Sequence, residues 1–308
     1  MKANLIIGTR GSALAMWQAE HIKSLLSKKF PRLTVELKII HTQGDKILDA
    51  PLAKIGGKGV FTKELENALL RKEIDIAVHS LKDLPTTLPK GLTIGAITKR
   101  EDVRDVFIAR KGKKKHFAGL PDGAVIATGS LRRRAQLLHL RPDLEIVDIR
   151  GNLNTRMKKL DDSKWNGMIL AHAGVKRLGW ERRITDTFPA TAILPAVGQG
   201  ALGIEMRTSD KETTALVQKL HHPATACCVL AERALLRALE GGCQVPIGAY
   251  ARITKAGLVL HAIVASLDGT LLISGEMRGS AKNPDALGKQ LAKKLYKSGG
   301  KEILASIR

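Results

Sequence analysis

Short runs of β-branched and apolar residues alternate with amphipathic stretches over most of the chain, and this alternation constrains the fold more than any other feature. Strand-like runs are LIIGT (5–9), TVELKII (34–40), IDIAVHS (74–80), LTIGAI (92–97), DVFIAR (105–110), AVIATG (124–129), LEIVDI (144–149) and GMILAHA (167–173). Helical stretches lie between them. Residues 12–28 place Leu14, Trp17, Ile22 and Leu25 on one side, and 62–71 and 131–140 behave similarly. Strand, helix and strand in succession bury helices against a mostly parallel sheet, which predicts an α/β fold. Past about residue 219 the pattern changes. A helix over 223–239 is followed by GAYARI, LVLHAIVASL and LLISGEMRG at hairpin spacing, then by a lysine-rich helix over 283–297. That sequence predicts a smaller α+β unit with an antiparallel sheet.

At 308 residues the chain exceeds one ordinary core, so two or three domains are expected. ITKREDVRD (97–105) is charged and irregular between two strands, while TAILPAVGQGALGIEM (191–206) is apolar but broken by Pro195, Gly198 and Gly200. Both are candidate hinges. They divide the chain into a first α/β lobe of 1–98 and 199–218, a second of 103–194, and a third domain of 219–308. Clefts between two such lobes are favoured binding sites.

Several function classes fit poorly. No apolar run reaches the length of a membrane helix, and Arg10 interrupts the N-terminal apolar stretch too early for a signal peptide. Cys227, Cys228 and Cys243 leave one cysteine odd and show no CxxC or Cys/His spacing. A disulfide framework and a metal site are therefore not expected, and a reducing cytoplasm fits best. The net charge of +22, from 51 Lys and Arg against 29 Asp and Glu, points first to nucleic acid. Aromatics at 3% are thin for stacking on single strands, which argues against it. The basic residues are also of two kinds. RKGKKKH (110–116) and the lysines of 282–301 form a solvated surface, whereas the arginines of 132–156 are interleaved with glycine, serine and threonine.

Some motifs tempt and fail. GQGALG (198–203) matches G-x-G-x-x-G, but its sequel IEMRTSD predicts a short strand and a turn instead of the helix a dinucleotide needs. KIGGKG (54–59) lacks the first glycine and the hydroxyl of a phosphate loop, with Leu52 and Val60 in those places, and predicts a turn presenting two lysines. His221 and His222 have no Cys or carboxylate at metal spacing and fit a helix start. Cys227 and Cys228 fit an amphipathic helix as core thiols.

Other stretches survive that scrutiny. HSLKDLP (79–85) follows an apolar strand, and in parallel α/β folds the loop at a strand's carboxyl end faces the ligand crevice, so Lys82 and Asp83 are offered there. TGSLRRRAQL (128–137) sets small polar residues at a helix start with Arg132 and Arg133 in the first turn. Cations there oppose the helix dipole, so an anion is expected to offset them. DIRGNLNTR (148–156) repeats the theme with Arg150 and Arg156, AGVKRLG (173–179) adds Arg177, and TRGSALA (9–15) adds Arg10 and Ser12. The planar fork of arginine suits carboxylates and phosphates, so the ligand should carry several of them. Finally, LEGGCQVPIGAY (239–250) presents Cys243 on a loop shaped by two glycines and Pro246. As chemistry, this thiol could be a nucleophile, a metal ligand, half a disulfide or an attachment point.

Taken in order, TRGSALAMWQA, PLAKIGGKGVFTKELE, DIAVHSLKDLP, GSLRRRAQL, RGNLNTR, LPAVGQGA and EGGCQVPIGAY closely resemble the porphobilinogen deaminase family, the hydroxymethylbilane synthases, from about residue 5 to the C-terminus. The resemblance implies three domains, the first two paired like a periplasmic solute-binding protein. It implies a cytoplasmic, monomeric transferase that joins four porphobilinogen molecules head to tail with loss of ammonia. A dipyrromethane cofactor would be held by a thioether to Cys243, with Asp83 as the catalytic residue. Lys82, Asp83, Thr128, Ser130, Arg132, Arg133, Arg150 and Arg156 would bind the cofactor, and Arg10, Ser12, Lys54, Lys58, Arg150, Arg156 and Arg177 the substrate. Two departures stand out: Gly129 replaces a serine common in the family, and Gln43 an arginine. A solute-binding module would explain the arginine turns but not the Gly-Gly-Cys loop, and a nucleic-acid binder would need no covalent adduct.

Overall fold

The structure, a computed structural model, describes residues 2–46, 59, 61–112, 116–240 and 245–307. Cys243, Lys54 and Lys58 lie outside the described residues. The chain forms two compact units, Met1–Glu101 with Gly200–Ala226, and Asp102–Gln199 with Cys227–Arg308. The first unit thus extends past the 218 boundary read from the sequence, and the third sheet belongs to the same unit as the second.

Elements β1 (Asn4–Thr9), α1 (Ala13–Lys29), β2 (Thr34–Ile39), α2 (Gln43–Lys46), α3 (Lys63–Leu70), β3 (Ile76–Ser80) and β4 (Leu92–Ile97) come first. Then follow β5 (Asp105–Ala109), β6 (Val125–Ala127), α4 (Leu131–Leu140), β7 (Glu145–Val147), α5 (Leu153–Asp162), β8 (Gly167–Ala171), α6 (His172–Arg177) and β9 (Asp186–Thr187). The chain returns through β10 (Leu202–Arg207) and α7 (Lys211–Val217). It ends with α8 (Pro223–Ala238), β11 (Ile247–Thr254), β12 (Gly257–Ala265), β13 (Leu272–Gly279), α9 (Pro284–Leu295) and α10 (Lys301–Ile307).

The first sheet has the order β2-β1-β3-β10-β4. β1 pairs in parallel with β2 and β3, while β10 runs antiparallel to both β3 and β4. Four strands therefore point one way and β10 the other. The second sheet, β7-β6-β8-β5-β9, repeats this arrangement, with β5 as the reversed strand. In each sheet the reversed strand follows a passage of the chain between units. Burial follows position: the inner strands β5, β8 and β10 are covered throughout, their charged residues included, whereas the edge strand β2 is largely exposed. AVIATG contributes only Val125–Ala127 to the sheet, because Thr128 to Ser130 turn to cap α4; GMILAHA stops at Ala171, where α6 begins.

The third sheet, β11-β12-β13, is an antiparallel meander. Leu258, Leu260 and Val264 of β12 pack with Leu235 of α8 and with Leu291 and Leu295 of α9. Buried Glu232 of α8 accepts hydrogen bonds from the backbone N–H groups of Gly198 and Ala251, both at 2.8 Å, so one carboxylate ties the connecting segment to β11.

Where the connecting segments meet the first unit, Glu101 N–H donates to the carbonyl of Gly200 at 3.1 Å. Gly200 has φ 90°, and a Cβ there would stand 2.5 Å from the Glu101 carbonyl oxygen, so the close approach requires glycine. Among the described residues, no helix is long and apolar enough to cross a membrane.

Candidate functional site

In the first unit the parallel strands β1 and β3 are neighbours, so their carboxyl ends lie side by side. β1 delivers Arg10 and Ser12. Ser12 caps α1, its hydroxyl oxygen accepting from Ala15 N–H at 3.4 Å. The Arg10 guanidinium lies 4.3 Å above the centre of the Phe61 ring, a cation–π contact that orients it. β3 ends at Ser80, whose hydroxyl accepts from Nε2 of buried Gln18 at 2.7 Å. A single 3₁₀ turn, Leu81–Asp83, follows. Leu81 and Leu84 are buried on either side of it, and Leu81 N–H donates to the Ala201 carbonyl at 3.0 Å. Between these anchors Lys82 is half-buried and Asp83 exposed. Among the described residues, no hydrogen bond or ion pair is seen at the Asp83 carboxylate.

In the second unit β7, β6 and β8 are adjacent and parallel, and their carboxyl ends carry the arginine turns. Ser130 caps α4, accepting from Arg133 N–H at 3.5 Å, and Thr128 Oγ1 accepts from Ser130 N–H at 3.3 Å. Gly129 sits against the neighbouring turn: a Cβ there would stand 2.7 Å from the Ile149 carbonyl oxygen and 3.0 Å from Asp148 Oδ1. A side chain at this position would not fit without a shift. From β7, Arg150 pairs with Asp148 at 3.3 Å, and Arg156 Nε donates to the Gly151 carbonyl at 2.8 Å. Arg177, in the last turn of α6, is buried.

Arg132 and Arg133 are placed differently from a solvent-facing pair. Both are buried, and both reach Asp105, which has no exposed surface. Arg132 donates to Asp105 Oδ2 at 2.8 Å and to the Leu194 carbonyl at 2.6 Å. Arg133 donates to Asp105 Oδ1 at 2.8 Å and to the Ile169 carbonyl at 3.1 Å. Gln199 Nε2 adds donations to Asp105 Oδ1 at 2.8 Å and to the Val103 carbonyl at 2.7 Å. Burial alone would push the Asp105 carboxyl up, but the Arg132 and Arg133 guanidiniums beside it hold it far below the usual carboxylate range. The anion expected at the start of α4 is thus supplied from within the fold. Reversal of β5 explains how: Asp105 opens this antiparallel strand and lies opposite Ala171, the last residue of β8, at the same edge as the arginine turns. Two guanidiniums share one carboxylate, so the group keeps a surplus positive charge.

Reading the sequence missed Asp105, Gln199 and Phe61. A lone acid heading the apolar run DVFIA was the only signal for Asp105. His221 and His222 sit at the start of α8, where His222 Nδ1 lies 2.9 Å from Thr225 Oγ1, and Cys228 is a buried thiol. GQGALG leads into β10 and no helix follows its glycines. Among the described residues no cluster of three His, Cys, Asp or Glu could hold a metal ion.

A family model described as "Porphobilinogen deaminase, dipyromethane cofactor binding domain" matches residues 5–215, and "Porphobilinogen deaminase, C-terminal domain" matches 226–297. The chain belongs to the porphobilinogen deaminase family. Porphobilinogen deaminases of Chlorobium luteolum and Chloroherpeton thalassium are 53% and 54% identical, each over 100% of this chain and 99% of the relative. That of Desulforudis audaxviator is 52% identical with the same coverage. Among solved structures, the methionine-binding protein MetQ is 16% identical over 70% of this chain and 89% of its own, with a TM-score of 0.46. The family is that of the hydroxymethylbilane synthases, enzymes of tetrapyrrole biosynthesis that use a dipyrromethane cofactor. The donor set suits such a group. Pyrroles bearing carboxylates need cations for the side chains, and the second unit supplies arginine turns.

Proposed function

We propose that this enzyme joins four porphobilinogen molecules head to tail, releasing ammonia at each step, to give hydroxymethylbilane, as a cytoplasmic monomer. The observation that carries the reading is membership of the family over the whole chain, together with an exposed Asp83 at a strand end. A dipyrromethane held by a thioether to Cys243 would supply the terminal pyrrole carbon to which the first substrate is joined.

The chain's own residues then divide the work. Arg150, Arg156 and Arg177, with Lys54 and Lys58, offer cations to the acetate and propionate groups of cofactor and substrate; Arg10, oriented by Phe61, does the same in the first unit. Thr128, Ser130 and Ser12 already cap turns or helices, and each hydroxyl keeps a hydrogen to donate to a carboxylate. Lys82 adds a cation beside Asp83. Arg132 and Arg133 act through the surplus charge they retain after pairing with Asp105.

Each condensation breaks the carbon–nitrogen bond of the substrate's aminomethyl group and leaves positive charge on its pyrrole. Asp83 stabilises that charge and accepts hydrogen bonds from pyrrole N–H groups. The new carbon–carbon bond forms as the terminal ring carbon loses its proton, and water finally releases the product. Intact-mass measurement tests the reading. The protein should carry the added mass of a dipyrromethane, and Cys243→Ser should lack both adduct and activity. A Cys243→Ser protein with unchanged adduct mass and normal turnover would overturn it.

A further inference from the structure

Helix α4 carries two arginines in its first turn and a joint along one stripe. Arg132, Gln136 and His139 follow one another at helical spacing, and each donates to a backbone carbonyl outside the helix. Gln136 is 2% exposed and pairs with Leu194 as a second peptide would. Its Nε2 donates to the Leu194 carbonyl at 3.1 Å, and its Oε1 accepts from Leu194 N–H at 2.7 Å. The next link runs into the third sheet. Ala249 N–H of β11 donates to the Pro195 carbonyl at 3.0 Å, and a Cβ on Gly248 would stand 2.9 Å from Leu194 Cβ. Leu194 and Pro195 are thus gripped by both α4 and β11.

A second joint lies further along α4. The β12–β13 turn, residues 266–271, is braced from within. Asp268 Oδ1 accepts from Ser266 Oγ, Thr270 N–H and Thr270 Oγ1, and Ser266 Oγ accepts from Leu271 N–H. Leu267, Asp268 and Thr270 are exposed, yet Gly269 between them is buried. It lies on the backbone of α4: a Cβ there would stand 2.5 Å from the Ala135 carbonyl oxygen and 2.7 Å from the His139 nitrogen. His139 Nδ1–H donates to the Gly269 carbonyl at 2.9 Å. Both joints serve the same end of the third sheet. Ile247 and Gly248 open β11 opposite Val264 and Ile263, and Ala265 N–H donates to the Pro246 carbonyl at 3.1 Å just before the turn begins. In the chain, Cys243 precedes Pro246 by three residues.

We propose that Gln136, His139 and Gly269 are positioning residues for the bound cofactor. They clamp residues 246–248, where the segment bearing Cys243 enters β11, to the helix whose start carries Ser130, Arg132 and Arg133. The cofactor's point of attachment and the turn that binds its carboxylates then keep one spacing while pyrroles are added. This role rests on the reading of Cys243 as the attachment residue.

The test compares Gly269→Ala with Gly123→Ala. Gly123 has nearly the same backbone, φ 69° against 73°, but a Cβ there meets nothing within 4 Å among the described residues. Both variants carry the strain of an alanine at positive φ, and only Gly269→Ala pushes the turn off α4. Intact mass gives the fraction of each protein carrying dipyrromethane. Single-turnover rates for adding the first porphobilinogen are then expressed per loaded molecule. Gly269→Ala should load to about half the wild-type level and lose ~10-fold in that rate, with Gly123→Ala within about twofold of wild type in both. His139→Ala should lose about threefold, and His139→Asn, whose amide N–H replaces Nδ1–H, should recover the wild-type rate. Amide hydrogen exchange at Ala249 and Ala265 should quicken ~10-fold in Gly269→Ala and measurably in His139→Ala, but not in Gly123→Ala. Loading and rate in Gly269→Ala equal to those of Gly123→Ala, whatever the Tm, overturn the proposal. If Gly269→Ala does not fold, equal rates for His139→Ala and His139→Asn overturn it. If wild type carries no adduct, the reading of Cys243 fails. Unchanged exchange at Ala249 and Ala265 in His139→Ala then overturns the clamp as well, and quickened exchange upholds it.

Discussion

The two α/β sheets share a strand order but differ at the edge reached by the carboxyl ends of their parallel strands. In the first, the reversed strand β10 begins with apolar Leu202 opposite Ser80, and the nearby acid, Asp83, is exposed. In the second, the reversed strand β5 begins with Asp105, which is buried and held by Arg132, Arg133 and Gln199. One topology thus leaves one carboxylate exposed and ties another into the framework. Burial and partners, not residue type, set the role of an aspartate.

The largest way to break this contrast is Asp105→Asn. It leaves two buried guanidiniums without an anion and should cost about 3–5 kcal/mol in denaturant unfolding. Because the Asp105 carboxyl is depressed, its contribution is present above the unfolded pKa and lost as pH falls below about 4; the Asp105→Asn Tm should be flatter over that acid window. A Tm like that of wild type would show that the buried pair carries no weight.

Asp83→Asn should do the reverse. Single-turnover rates should drop by about 10²-fold or more, while stability changes by less than about 0.5 kcal/mol. Asp83→Glu, which keeps the charge, should retain more activity than Asn. A stable, cofactor-loaded Asn variant with near-normal rates would refute the catalytic role.

Within the second unit, Arg132→Leu and Arg150→Leu sharpen the comparison. Arg132 is buried against Asp105, so its loss should cost about 2–4 kcal/mol and impair cofactor assembly. Among the described residues Arg150 pairs with half-exposed Asp148, so its loss should change stability by less than about 1 kcal/mol while still reducing cofactor loading or early elongation. Equal stability losses for the two would erase the distinction. The smallest effect is expected from Gly129→Ser, where the added Cβ pushes on the Ile149 carbonyl and should cost about 1–2 kcal/mol.

Much of the architecture was readable because it is local. Leu92–Ile97 and Leu131–Leu140 match the sequence-based elements residue for residue, since period-two and helical patterns depend on near neighbours. The exposure of Asp83 could also be anticipated from an apolar strand running into a polar turn. What the pattern hid was pairing across distance. Arg132 and Arg133 read as ligand-facing because nothing nearby in sequence balances them, yet Asp105 lies 27 and 28 positions away. Likewise, His79 and Glu205 sit on strands whose apolar neighbours signal a core, and strand order brings the two together at 2.9 Å.

Placing β10 between β3 and β4 also has a consequence for how the chain is made. All five strands of the second sheet lie between Asp105 and Thr187, whereas the first sheet needs Leu202–Arg207 to fill the gap between strands that ended by Ile97. During N-to-C synthesis the later sheet can therefore be completed while the earlier one still lacks an inner strand. The nascent chain must protect two open strand edges, those of β3 and β4, until residue 207 has left the ribosome.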